Sequence, residues 1–180
     1  MDRWQTDIVD WTKLTEQSAQ FYIHLAESRL KSTEDTANII TASNDRLLGI
    51  ITMLISASFG YLFTGGQTYL QCVSLFILLI CSIAAVFLIR NMGKYELFTI
   101  GEEPRQIFTS AFVENNIYSE SQQYLNIVFQ MMEIMQLKID KNRQINLIRQ
   151  SRLEKAKRTL VTIPLSFLLA GLYLYFLNSQ

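Results

Sequence analysis

Three stretches without a single charged residue, 47–63, 69–89 and 159–177, constrain this chain more than any other feature. A helix crossing the hydrocarbon core of a bilayer needs roughly 20 apolar residues, and each stretch approaches or reaches that length. Residues 69–89 read YLQCVSLFILLICSIAAVFLI, which leaves a helix no wet face. A soluble bundle with a buried core hairpin is the competing reading. Apolar residues make up 49% of the chain, and their segregation into blocks favours lipid as the solvent. Only Thr64-Gly65-Gly66-Gln67-Thr68 separates the first two blocks, which predicts a tight hairpin with an uncharged turn.

Basic residues near the block ends give an orientation. Arg46 precedes the first block, Arg90 and Lys94 follow the second, and Arg152, Lys155, Lys157 and Arg158 precede the third. The hairpin turn and the tail Asn178-Ser179-Gln180 carry none, so the N-terminus is expected inside and the C-terminus outside. Tyr61, Tyr69, Tyr173 and Tyr175 then fall toward the outer interface. The expected organisation is N-terminal cytoplasmic helices (1–45), a transmembrane hairpin (46–90), a cytoplasmic loop and long helix (91–158), and a third span with a short outer tail (159–180). The fold class is all-α: three transmembrane helices with a helical cytoplasmic domain.

Within the blocks the polar groups are hydroxyls, thiols and one amide, which disfavours a proton-coupled pump. Gly49, Thr52, Ser56 and Gly60 recur at helical spacing. Such a stripe reads either as close helix packing or as a pore lining or oligomer contact. Pro164 removes a backbone donor from the third span and predicts a kink or bend there. Cys72 and Cys81, nine residues apart on one block, are on opposite helix faces and read as unbridged packing residues.

The polar parts differ in charge. Residues 1 to 46 hold five Lys/Arg against eight Asp/Glu, and residues 90 to 158 hold eleven against eight. Trp4, Ile8, Trp11, Leu14, Ser18, Tyr22 and Leu25 trace one face of an amphipathic helix of roughly 25 to 30 residues. Thr33-Glu34-Asp35 and Ser43-Asn44-Asp45 read as possible helix starts, and a helix is able to run from about Ser32 into the first span. Gly101-Glu102-Glu103-Pro104 breaks the chain after the hairpin. From Tyr118 to Pro164 nothing interrupts a helix whose seam steps by three and four through Leu125, Val128, Met132, Met135, Ile139, Asn142, Asn146 and Leu153. Lys138, Lys141, Arg149, Arg152 and Lys155 are expected about a quarter-turn from that seam, as a solvated face or an anion site for phosphates.

The chemistry of an enzyme is missing. His24 stands alone beside the apolar stripe, and no catalytic triad, metal-spaced His/Cys cluster or phosphate-cradling glycine loop is present. No cofactor or metal is expected, and Met131, Met132 and Met135 read as core filling.

The order of elements resembles the small membrane effectors of bacterial anti-phage systems, of the Pycsar, SLATT and Hailong types. The likeness rests on Ala37-Asn38-Ile39-Ile40 through Arg46-Leu47-Leu48-Gly49-Ile50, on Gly101-Glu102-Glu103-Pro104-Arg105, and on Ile139-Asp140-Lys141-Asn142-Arg143-Gln144-Ile145-Asn146. The resemblance implies an inner-membrane homo-oligomer of four or more copies that permeabilises the membrane during infection. It also implies control by a nucleotide or oligonucleotide made by a partner nucleotidyltransferase. The alternatives are a non-conducting scaffold that recruits a partner protein and a holin-like lysis protein.

Overall fold

A computed structural model describes residues 15–64, 68–93, 95–100 and 119–178. Three long helices account for nearly all of them: α1 (Glu16–Phe63), α2 (Thr68–Asn91) and α3 (Glu120–Asn178). The described chain is all-α, and α1 and α2 are long and apolar enough to cross a membrane. The apolar stretch 159–177 forms the C-terminal part of α3, which continues through Pro164. The expectations for Trp4, Ile8, Trp11 and Leu14, for the hairpin glycines and for the Gly101–Pro104 break lie outside the described residues.

Helix α1 is one element where the sequence offered two possible restarts. Neither glycine nor proline interrupts it before Gly49, and its cap-type residues spend their side chains otherwise. Thr33 Oγ1 donates to Leu30 O at 2.6 Å and Thr41 Oγ1 to Ala37 O at 3.0 Å, bonds back into the preceding turn that a continuing helix allows. Asn44, 2% exposed, donates across to Leu88 O instead of capping.

The chain packs as two units. The first draws on Met1–Asp35 and Leu97–Arg143, the second on Thr36–Glu96 and Gln144–Gln180. The division in α1 falls ahead of Thr36, and Ile40 already belongs to the second unit's apolar core. That core gathers Ile51, Ile77, Ile80, Ala84, Leu88 and Leu153 among others. On α1 its inward positions Ala37, Asn44, Ile51 and Ser58 recur every seventh residue, the 3.5-residue period of left-handed helix packing.

On α3 the buried positions Val128, Met135, Ile139, Asn142, Asn146 and Leu153 follow the seam read from sequence. Cys72 is exposed, Cys81 is buried, and both are free thiols.

Candidate functional site

In the second unit, the end of α2 is built into a polar cluster. A helix leaves its last four carbonyls without intrahelical donors, and they carry the negative end of its dipole. Here three of the four find donors, one from the helix's own last turn and two from other parts of the chain. Asn44 Nδ2 donates to Leu88 O at 3.4 Å, Met92 N to Ile89 O at 3.0 Å, and Arg152 Nη1 to Arg90 O at 2.7 Å. Asn91 Nδ2 donates to Asn44 Oδ1 at 3.3 Å, which fixes the Asn44 amide. Tyr95 Oη also donates to Arg90 O, at 3.3 Å, and accepts a second bond from Arg152 Nη1.

Arg149 completes this cluster. It is 7% exposed and steps three from Asn146 and four to Leu153, so it occupies the seam itself and not the flank a quarter-turn away. Its Nη2 donates to Thr41 Oγ1 at 2.7 Å, and its guanidinium lies 5.5 Å from the Tyr95 ring centroid. Among the described residues no carboxylate neutralises it. A hydroxyl and a π face stand in for a counter-ion, a costly arrangement for a buried cation. Burial pushes its pKa below the usual arginine value, with Tyr95 opposing the shift, and the group stays charged at any physiological pH.

The first unit holds a second polar centre around Asn142, which is fully buried. Its Oδ1 accepts from Phe98 N at 2.9 Å, while its Nδ2 donates to Phe98 O at 2.8 Å and to Thr33 Oγ1 at 3.0 Å. The side chain thus pairs with one residue's backbone as a strand neighbour would. Lys138 Nζ donates to Thr99 O at 3.2 Å, and Lys141 sits 4.9 Å over the Phe98 ring. Two lysines and an asparagine of α3 therefore grip the segment 98–99.

The five predicted anion-site cations consequently divide. Lys138 and Lys141 bind the segment after α2, Arg149 binds Thr41 of α1 and the Tyr95 ring, Arg152 binds Arg90 O and the Tyr95 hydroxyl, and Lys155 is exposed. Unabsorbed guanidinium groups stand elsewhere. A groove of about 290 Å³ in the first unit is lined by Tyr22, Leu25, Arg29, Met132, Gln136 and Arg143, with Ala26 and Ile139 in its wall. Arg29 and Arg143 are exposed and have no carboxylate partner among the described residues. An apolar floor, a phenol ring and two guanidinium groups suit a ligand with a flat or apolar body and an anionic end. Sequence reading missed both arginines, because only the pairing of α1 with α3 brings positions 114 residues apart to one groove.

Among the described residues, nothing packs closely against the glycines of the small-residue stripe. A Cβ placed on Gly49 or Gly60 meets no atom within 4 Å, and Ser56 is exposed. Thr52 satisfies its own hydroxyl by donating to Leu48 O at 2.9 Å. Pro164 is exposed. His24 is exposed and lies 3.3 Å from Glu27 Oε2. No group of His, Cys, Asp and Glu able to hold a metal occurs among the described residues. No protein family matches this chain, and neither a characterised protein nor a solved structure does.

Proposed function

We propose that this chain is a membrane-embedded, homo-oligomeric effector of anti-phage defence in the bacterial inner membrane, a channel or pore controlled from the cytoplasm by an anionic nucleotide or oligonucleotide. Support for the membrane comes from the outward faces of the apolar helices. Only 33% of the apolar window of α2 and 11% of that of α1 is buried, whereas the core helix of a soluble protein is mostly buried. Leu75, Leu79, Ile83 and Ile89 of α2 are between 45% and 60% exposed, which is comfortable in lipid and costly in water.

The observation that carries the functional reading is the continuity of α1 and α3. Arg29 and Arg143 face the groove from the same two helices that run on, unbroken, into the apolar stretches 47–63 and 159–177. A ligand that draws those arginines together biases helices that enter the membrane, which is the differential contact a gate requires. Three spans in one copy enclose little, so conduction needs on the order of four or more copies around an axis. Within the first unit Asn142 and Lys138 hold the segment 98–99, and within the second Arg149 and Arg152 hold Tyr95, so each unit keeps its own stretch of the chain after α2 in place.

The test is dye and ion leakage from liposomes holding the purified protein, with candidate nucleotides and short oligonucleotides added in turn. Ligand-dependent leakage is expected, and R29Q/R143Q should remove the dependence without preventing insertion. Tight liposomes under every condition, with folded protein in the bilayer, would overturn the channel. They would favour a scaffold recruiting a partner through the exposed, edge-to-face Phe21–Tyr22 pair, 5.8 Å between centroids. A fusion of residues 1 to 45 and 91 to 157 would then retain partner binding.

A further inference from the structure

We infer that the outward seam of α1, from Ile39 to Phe63, is a contact surface for a second copy of this chain, packed parallel to the first. The inference rests on the homo-oligomeric reading above and adds the surface and its register. Counting two residues on from each inward position Ala37, Asn44, Ile51 and Ser58 rotates by about 200°, to the opposite face of the helix. That face repeats by the same 3.5-residue period as the inward one. A second helix can follow it along its whole length without drifting off.

Its composition alternates in a way that is complementary to itself. Small residues, Ala42, Gly49 and Ser56, recur every seventh position, and all three are exposed. Between and beyond them lie Ile39, Met53 and Phe63, at 67%, 73% and 83% exposure, among the barest large apolar side chains of the described residues. Large side chains of one copy can enter the holes left by small ones of the other, and the glycines let the backbones approach. Lipid would cover Met53 and Phe63 equally well. It does not account for Ile39, which precedes the uncharged stretch by eight residues with Asp45 and Arg46 in between.

Those two charges commit the seam to a copy of itself. Asp45 and Arg46 are adjacent and exposed, and neither has an ion-pair partner within the chain among the described residues. In a parallel pair of helices, a side chain at 46 enters a hole bordered by residues 42, 45, 46 and 49 of the other helix. Arg46 therefore meets Asp45 of the second copy, twice over by symmetry, and these two pairings offset the approach of the two Arg46 side chains across the axis. Copies inserted with one topology point the same way, so the parallel arrangement is the one a membrane supplies.

The experiment uses the full chain in native membranes with both cysteines replaced (C72A/C81A). Single cysteines are introduced on the seam as G49C or S56C, and on the outward face of α2 as L75C or I83C. Mild oxidation should give disulfide-linked dimers from the seam variants and not from the α2 variants, because a disulfide needs Cβ atoms about 4 Å apart. Equal linkage at all four positions would mean random encounter and would overturn the seam. Absence of seam disulfides while an amine-reactive cross-linker still captures oligomers would overturn the seam and leave the oligomer standing. Absence of any captured oligomer would remove both. In the G49C background, D45R and R46D should each lower the disulfide yield, by up to about fivefold for exposed ion pairs. The double swap D45R/R46D should restore it; a double variant no better than the singles would exclude the Arg46–Asp45 pairing.

Discussion

Replacing Asn142 with alanine is the sharpest test of the way the first unit holds the segment around Phe98. The native amide uses both its hydrogens and one oxygen lone pair, in three bonds of 2.8 to 3.0 Å, and is shielded from water. At about 1 kcal/mol net for each bond, the truncation costs about 3 kcal/mol. The Phe98 N–H and C=O lose their partner together, so less of that cost returns through a rearranged bond. On the scale of a 180-residue chain this corresponds to about 6–12 °C in melting temperature. N142L, which fills the space without offering a bond, should do no better than alanine. N142D should also lose stability, because a carboxylate can accept from Phe98 N but cannot donate to Phe98 O. The assay is thermal unfolding of the purified protein in detergent, joined to amide hydrogen exchange at Phe98. A melting temperature within about 2 °C of the native chain, with unchanged exchange at Phe98, would refute the reasoning.

Tyr95 separates two contributions in the second unit. Y95F removes the hydroxyl bonds to Arg90 O and Arg152 and should cost about 1 kcal/mol, while Y95L also removes the ring from Arg149 and should cost about 1 kcal/mol more, both read by denaturant unfolding in detergent. R149M exchanges an uncompensated buried cation for an apolar side chain of similar length. It should leave stability within about 1 kcal/mol or raise it, while altering leakage if the cluster takes part in gating; a loss of more than about 3 kcal/mol would mean the cation is stabilising where it lies. R152Q should weaken the cap on Arg90 O and raise amide exchange in the last turn of α2, measured by mass spectrometry, and unchanged exchange there would count against the cap.

The three apolar stretches, the free thiols and most of the α3 seam were legible because each depends on local spacing alone. Arg149 was legible in principle: stepping three and four from Asn146 to Leu153 lands on it, and charge alone argued for the surface. Thr33 and Asn44 read as helix starts because their side chains can cap, yet each finds a better bond elsewhere once α1 is continuous. What sequence could not supply is the choice of partner across long separations. The backbone of Phe98 carries no sequence mark that it will pair with Asn142, and the groove arginines look like any exposed basic residues until α1 and α3 lie side by side. Likewise the small residues of α1 announce close packing without saying whether the neighbour belongs to the same chain.

The capped end of α2 has a consequence for how the protein is made. Arg152 follows Arg90 by 62 residues, so at a synthesis rate of about 5–20 residues per second the hairpin waits roughly 3–12 s for the side chain that closes its exit. Throughout that interval Arg90 O has only water and the nearby Tyr95 hydroxyl to turn to. The newborn hairpin is thus an unfinished piece with an open polar end, and the arrival of α3 is the event that seals it. A ribosome stalled before residue 152 would leave a chain whose second helix ends without this cap.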